Sequence, residues 1–348
     1  DEFEGVPQYV GPVWWVSLDG DDANDGSPEY PFANIAVAVE RAFDGNIINV
    51  REGTYYNLSE VILTENKSIS IVGVAGAENT ILDQNISENE KDGSDDFHFS
   101  FEGDELQSHT IFIKGFTFKN GRSISFGGIK AFNIDKFIIE DCVFENNESF
   151  ESGGALFIQS SSTNIQNSAF INNKATQLGG AIFWQGAADD SLKISQTSFE
   201  GNYIDTNNNL DLGYSGGALA IISGWHVLIK DSHFEGNWIK NSQNQWTSGG
   251  AISNFMSDPL NEIRILRTKF IANEIRGQQG SGAALRSNGN AYIENSLFAF
   301  NDGGQPHTIL FNHGDKHVLI NNTFAFNGLA QPTSKFASTL ETHTLGDG

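Results

Sequence analysis

Residues 137–173 read FIIEDCVFENNESFESGGALFIQSSSTNIQNSAFINN, and one pattern occurs in them twice. Ile139 stands five positions before Phe144, Cys142 two before it and Asn147 three after it; Ile165, Ser168, Phe170 and Asn173 repeat that spacing. Gly153-Gly154-Ala155 lies between the two copies. Working outward, Phe118, Phe199, Phe234, Phe270, Phe298 and Phe324 close similar segments, with Ile113, Ile194, Ile229, Ile265, Ile293 and Leu319 five positions earlier. Thr197, Ser232, Thr268, Ser296 and Asn322 continue the small or polar column. Asn202, Asn237, Asn273, Asn301 and Asn327 follow their Phe by three; after Phe118 that place holds Gly121. Gly-Gly recurs at 127–128, 179–180, 216–217 and 249–250, with Ser281-Gly282-Ala283 a degraded copy.

No helix accounts for this register. The minimal repeat, Phe144 to Phe170, is 26 residues, the size of one solenoid coil built from short strands and turns. Stacked coils bring identical columns to about 4.8 Å from one another, so Ile sits on Ile and Phe on Phe inside. Asparagines at the turns would form a side-chain amide ladder that satisfies buried backbone groups. Glycine permits the tight backbone that starts the next strand. The expected fold is all-β: a single-stranded right-handed parallel β-helix with a short N-terminal capping helix. The simplest role for every repeated residue is scaffold.

The 348 residues read as one domain, since elongated β folds exceed the usual ~150 residues per domain. Within it we expect a capping module over 1–60, first irregular coils over 61–117, regular repeats over 118–327 and a tail over 328–348 without a clear cap. Asn34 to Phe43 places Ile35, Val39 and Ala42 at helical spacing, which suits a helix covering the open end of the solenoid. Residues 46–50 read as a strand and 51–55 as a turn into another. The acidic segment 84–108 reads as a surface excursion.

Val16 to Ser27, continuing through Pro31-Phe32 to Gly53-Thr54-Tyr55, resembles the opening module of pectate-lyase-like β-helix proteins. The paired Phe-x-x-Asn and Gly-Gly-Ala-Ile/Leu repeats, from Phe118 to Asn327, resemble the polymorphic outer membrane protein repeats of bacterial surface passengers and adhesins. The resemblance implies a secreted or cell-surface location. It is specific for the fold and weak for activity, because lyases, hydrolases, epimerases and inert stalks share this architecture. The chain departs from an autotransporter in lacking a membrane barrel.

The formal net charge of −24 argues against nucleic acid, whose polyanion needs a basic face. It also disfavours acidic polysaccharides unless a divalent cation bridges the like charges. One cysteine excludes an intrachain disulfide framework. No apolar run reaches the ~20 residues of a membrane helix. No signal peptide opens the chain, which therefore reads as a mature or trimmed form.

For catalysis, a β-helix needs outward ionisable groups clustered on neighbouring coils: a base with a cation for lyases, paired carboxylates for hydrolases. Strands after Gly-Gly such as Ala155 to Gln159 and Ala181 to Gln185 carry no charge, and Lys130 and Arg286 in that column are far apart along the stack. The strands ending in Phe offer one cluster. Lys230, Asp231 and His233 on one coil would stack near Arg267 and Lys269 on the next, as an ordinary cross-strand ladder or as a catalytic group with Lys269 or Lys230 as base.

Loop lengths favour the same region. Phe to Gly-Gly takes nine residues in the first three coils, but 17 after Phe199 and 15 after Phe234. These insertions, Tyr203 to Ser215 and Trp238 to Ser248, carry Tyr203, Tyr214, Trp238 and Trp246 among many amides. Aromatic faces stacking on pyranoses beside amides bonding hydroxyls suit a sugar-binding cleft; alternatively the rings fold down to cover the coil. Asp19, Asp21, Asp22 and Asp25 form a Gly-punctuated acidic loop, a calcium candidate that lacks the twelfth-position Glu of an EF-hand. Calcium is the one cofactor the sequence points to. Cys142 falls in the Ser/Thr column and reads as a buried small residue.

Three function classes follow. The leading expectation is a secreted or surface module that adheres to, binds or spaces polysaccharide or cell-surface glycan through the long loops. The alternative is a polysaccharide lyase or glycoside hydrolase acting on a cell-wall, algal or plant polysaccharide. The third is a structural subunit that self-associates end to end or side by side.

Overall fold

The computed structural model describes residues 9–56, 61–64, 66–84, 96–104, 108–206, 215–241, 247–258, 260–276, 280–303, 307–312, 316–328 and 340–342. The described residues are 51% strand and 3% helix and form a right-handed parallel β-helix. Three long parallel sheets wrap one core. The first face has 11 strands, from Val13–Val16 to His317–Ile320; the second has 10, from Gly53–Tyr56 to Thr323–Ala325; the third has 10, from Val61–Leu63 to Leu340–Thr342. A six-stranded side sheet, from Arg122–Ser123 to Glu274–Arg276, links the second face to the third in the middle coils.

The columns read from the sequence are physical rows. Ile113, Ile139, Ile165, Ile194, Ile229, Ile265 and Ile293 pair in register on the first face, each fully buried. Phe118 to Phe324 stack on the second face with ring centroids 4.5 to 5.1 Å apart and planes within 13°. The rise between strands sets that spacing, and the inward side of a period-two strand buries every ring from Phe118 to Phe298 fully, with Phe324 partly buried at the end of the stack.

Buried polar columns hold the corners. Asn202 Nδ2 donates to the Phe170 carbonyl (2.8 Å) and to Asn237 Oδ1 (3.0 Å), while its own Oδ1 accepts the Asn173 amide N–H (3.0 Å). The same triplet recurs along the ladder to Asn327. In the Ser/Thr column each hydroxyl donates to the carbonyl two residues earlier, as Ser232 Oγ does to Lys230 at 2.8 Å, and Ser168, Ser232 and Ser296 also accept the backbone N–H of the preceding coil. These bonds satisfy groups whose loss would each cost about 1–3 kcal/mol. Gly153 occupies the left-handed region (φ +69°). Gly154 is needed for space: a Cβ there would lie 2.2 Å from the Gly180 carbonyl oxygen.

The helix is Ile35–Arg41, with Ile35, Ala38 and Val39 buried against the first strands. Asp22 accepts the N–H groups of Ala33 and Asn34 at its start. The buried Lys67 ammonium donates to the carbonyls of Val39 and Ala42 at its end, both at 2.9 Å. Such partners answer the unmet donors and acceptors of helix termini.

The expected surface excursion over 84–108 is corrected in part. Phe99–Glu102 is a strand of the third face, and Phe99 and Phe101 are fully buried. Phe97, Phe99 and Phe101 carry a period-two signal that the acidic flank outweighs. Residues 85–95 and 105–107 lie outside the described residues.

Candidate functional site

The corner between the first and second faces is turned by one left-handed residue per coil. Asp141, Asn167, Gln196, Asp231, Arg267, Asn295 and Asn321 occupy this column with φ of 49 to 54°. Asn and Asp tolerate that conformation through local side-chain hydrogen bonds, whereas a long side chain pays about 1–2 kcal/mol for it. Gln196 and Arg267 are therefore the costly members. The column's members from Asp141 to Arg267 form one wall of an open groove of about 1010 Å³ running along the helix axis. The outward residues of the second face, Val143, Ala169, Ser198, His233 and Lys269, line it alongside.

The structure brings Asp231, His233, Arg267 and Lys269 together in this groove. Arg267 donates to both Asp231 oxygens, Nε at 2.6 Å and Nη2 at 2.7 Å. That fork, reinforced by the charges of Arg267 and Lys230, holds the Asp231 carboxyl below the usual carboxylate range. His233 pairs in register with Lys269, and its Nε2 lies 2.9 Å from Glu235. Lys230 ends a first-face strand opposite Leu266 and does not line the groove. At the other end the Asn167 amide, 2.5 Å away, lowers the Asp141 carboxyl, helped by Lys114 at 3.0 Å. Asp141 and Asp231 are separated by three coils, about 14 Å. Paired glycosidase carboxylates lie about 5–9.5 Å apart.

Asp141, Asn167, Gln196 and Ser198 escaped the sequence reading. The signal was present: Asp141, Asn167 and Gln196 stand three positions before a Phe of the repeat, and Ser198 one before.

Tyr203 and Trp238 lie elsewhere. Their segments, expected as loops from their first residue, begin as strands Tyr203–Thr206 and Trp238–Asn241 of the side sheet. The two rings stack at 4.3 Å with planes 11° apart, and the Arg276 guanidinium lies 4.1 Å over Trp238. Neighbouring coils thus cover both faces of Trp238. Neither ring lines the corner groove. Tyr214 and Trp246 fall outside the described residues.

The acidic loop is organised for turns and capping. Asp19 accepts from Ser17, Asp21 from the Ala23 N–H, Asp22 from Ala33 and Asn34, and Asp25 from the Ser27 N–H. The four carboxylates are engaged with separate local donors and do not fit a shared calcium shell. Among the described residues no three of His, Cys, Asp or Glu group to hold a metal ion. Burial pushes the Cys142 thiol up to about 12, which removes it as a nucleophile.

No protein-family model matches the chain. An uncharacterized protein of Bacillus subtilis strain 168, YwoF, is 36% identical over 61 residues, which is 18% of this chain and 13% of that protein's length. Among solved structures, pectate lyase Pel9A is similar with a TM-score of 0.45 and 15% identity, covering 94% of this chain and 81% of that one. A rhamnogalacturonan lyase gives 0.37 and 14% over 90% and 87%. The GH136 lacto-N-biosidase from Eubacterium ramulus gives 0.42 and 11% over 90% and 68%. The likeness is one of fold. No helix among the described residues is long and apolar enough to cross a membrane.

Proposed function

We propose that this chain is a secreted or cell-surface, non-catalytic module that binds a linear glycan along the corner groove. The observation that supports this reading is the in-register column of polar side chains, Asp141, Asn167, Gln196, Asp231 and Arg267, along one open groove. A polar group every ~4.8 Å suits an extended polymer of hydroxyl-bearing units better than a compact ligand. Backbone strain at Gln196 and Arg267 fits the same reading, since such strain concentrates where function requires particular side chains. The groove replaces the side-sheet rings as the preferred surface, because Trp238 already has both faces covered.

The enzymatic alternative draws on the convergence of Asp231, His233, Arg267 and Lys269 in that groove. Against it, Asp141 and Asp231 are held as anions by their partners and stand too far apart to share one glycosidic bond.

The test is binding and turnover measured together on a panel of neutral and uronic polysaccharides, with and without calcium. Ser198→Trp, which places a bulky ring in the groove, is expected to weaken retention in affinity electrophoresis at least tenfold; Trp238→Ala is expected to leave it near wild type. The reverse ranking would move the site to the side sheet. Unsaturated products or new reducing ends, lost in Lys269→Ala, would establish the enzyme instead.

A further inference from the structure

The asparagine ladder has an irregular first rung. Asn147 Nδ2 reaches one coil back to the Phe118 carbonyl, so a ladder residue at position 121 would reach the carbonyl of Leu82, the register partner of Phe118. Gly121 has no side chain to do so. Instead His98, fully buried, enters from the third-face side and sets its Nε2 3.0 Å from the Leu82 carbonyl oxygen and 3.1 Å from that of Lys119. Two carbonyl acceptors require Nε2 to carry the proton. A Cβ on residue 121 would lie 2.6 Å from Cε1 and from Nδ1 of the same ring. Residue 121 is therefore glycine because imidazole occupies the place of the missing amide. Gly121 still joins the ladder through its own N–H, which donates to Asn147 Oδ1 at 2.8 Å.

We propose that His98 is an acid-sensitive first rung of the ladder, which holds the N-terminal coils to the regular stack while neutral and releases them when protonated. Nδ1 is buried and has no hydrogen-bond partner, and the Phe118 ring edge packs beside the imidazole, 5.4 Å away between centroids. A proton on Nδ1 would place a desolvated charge in the core, which the Gly128 backbone nearby offsets only in part. The charged groups around the ring are already engaged. Asp83, from the coil below, accepts from Asn120; Lys119 and Arg122, from the coil above, pair with Glu145 and Glu148. Asp96, on the His98 segment itself, bridges to Arg122 through its backbone. Burial pushes the imidazole down to about 4 against the opposing pull of its carbonyl partners and Asp83.

The sign follows from proton counting. The unfolded chain binds this proton near pH 6.5 and the folded chain only near pH 4, so the stabilisation is complete above about 6.5 and is lost as pH falls from there towards 4. At full extent the loss is up to ~300-fold in the folding equilibrium.

The decisive experiment follows the imidazole resonances of the wild-type chain by NMR from pH 7.5 to 3.5, alongside denaturant unfolding of wild type, His98→Ala and His98→Ala/Gly121→Asn. Folded His98 is expected to remain an Nε2–H tautomer at pH 5.5. The single variant is expected to lose amide protection around Leu82 and Gly121. The double variant is expected to recover it in part, with the Gly127 oxygen at 2.9 Å the remaining tight contact, and to lack the wild-type fall in stability between pH 6.5 and 4. Titration of folded His98 near 6.5, or the same pH dependence in wild type and double variant, would overturn the proposal; the first readout needs no variant to fold.

Discussion

At the scale of single residues, Arg267 carries two opposing effects that magnitudes can separate. Its left-handed backbone costs about 1–2 kcal/mol, while its fork to Asp231 is an exposed ion pair, which solvent screens and which therefore contributes little. Asn295 and Asn321 fill the same column position in later coils. Arg267→Asn is therefore expected to leave the midpoint of thermal unfolding unchanged or slightly raised. If the groove binds glycan, the same variant weakens retention. A clear drop in stability would mean the ion pair outweighs the strain and Arg267 needs no functional explanation.

At the scale of the elements, the glycines divide into those required for conformation and those required for space. Gly236 has φ +62° with no atom within 4 Å of where a Cβ would stand, and Asn146 and Asn172 hold its place in earlier coils. Gly236→Asn is expected to change stability by less than about 0.5 kcal/mol. Gly154→Ala would force a methyl to within 2.2 Å of one backbone oxygen and 2.4 Å of another, and is expected to cost more than about 3 kcal/mol or prevent folding. Comparable denaturant midpoints for the two variants would show that the coils pack more loosely than those distances require. The sequence made these elements legible wherever one chemical type fills a column, as Ile139, Phe144, Asn147 and Gly153 do. The groove wall beyond Asp231 and Arg267 stayed hidden because a left-handed turn selects backbone conformation over side-chain chemistry, so Asp141, Gln196 and Arg267 share a place without sharing a type. His98 stayed hidden for another reason: it substitutes for a ladder amide from a distant segment, and no local period announces that.

At the scale of the whole molecule, the charged cluster and the side-sheet aromatics lie on different faces, because the turn after each Phe separates them. The pairing of Asp231 with Arg267 and of His233 with Lys269 was readable, because adjacent repeats in a solenoid are adjacent in space. Which surface that pairing serves was not, because groove shape depends on the corner angle and the outward column together. Insertions between faces alter loop length and leave the rise per coil untouched. The molecule is thus a ruler, and its binding surface inherits the ruler's spacing.

That spacing can be measured directly. Spin labels at Val143 and, one at a time, at Ser198, His233, Lys269, Leu297 or Thr323 sample one outward column of the second face. Pulsed dipolar distances are predicted to grow by about 4.8 Å per coil, in even steps, although the intervening repeats differ in length. Steps that follow the number of residues between the labels, or distances that fail to rise in order, would contradict the stacked register on which the groove, the ladder and its first rung all depend.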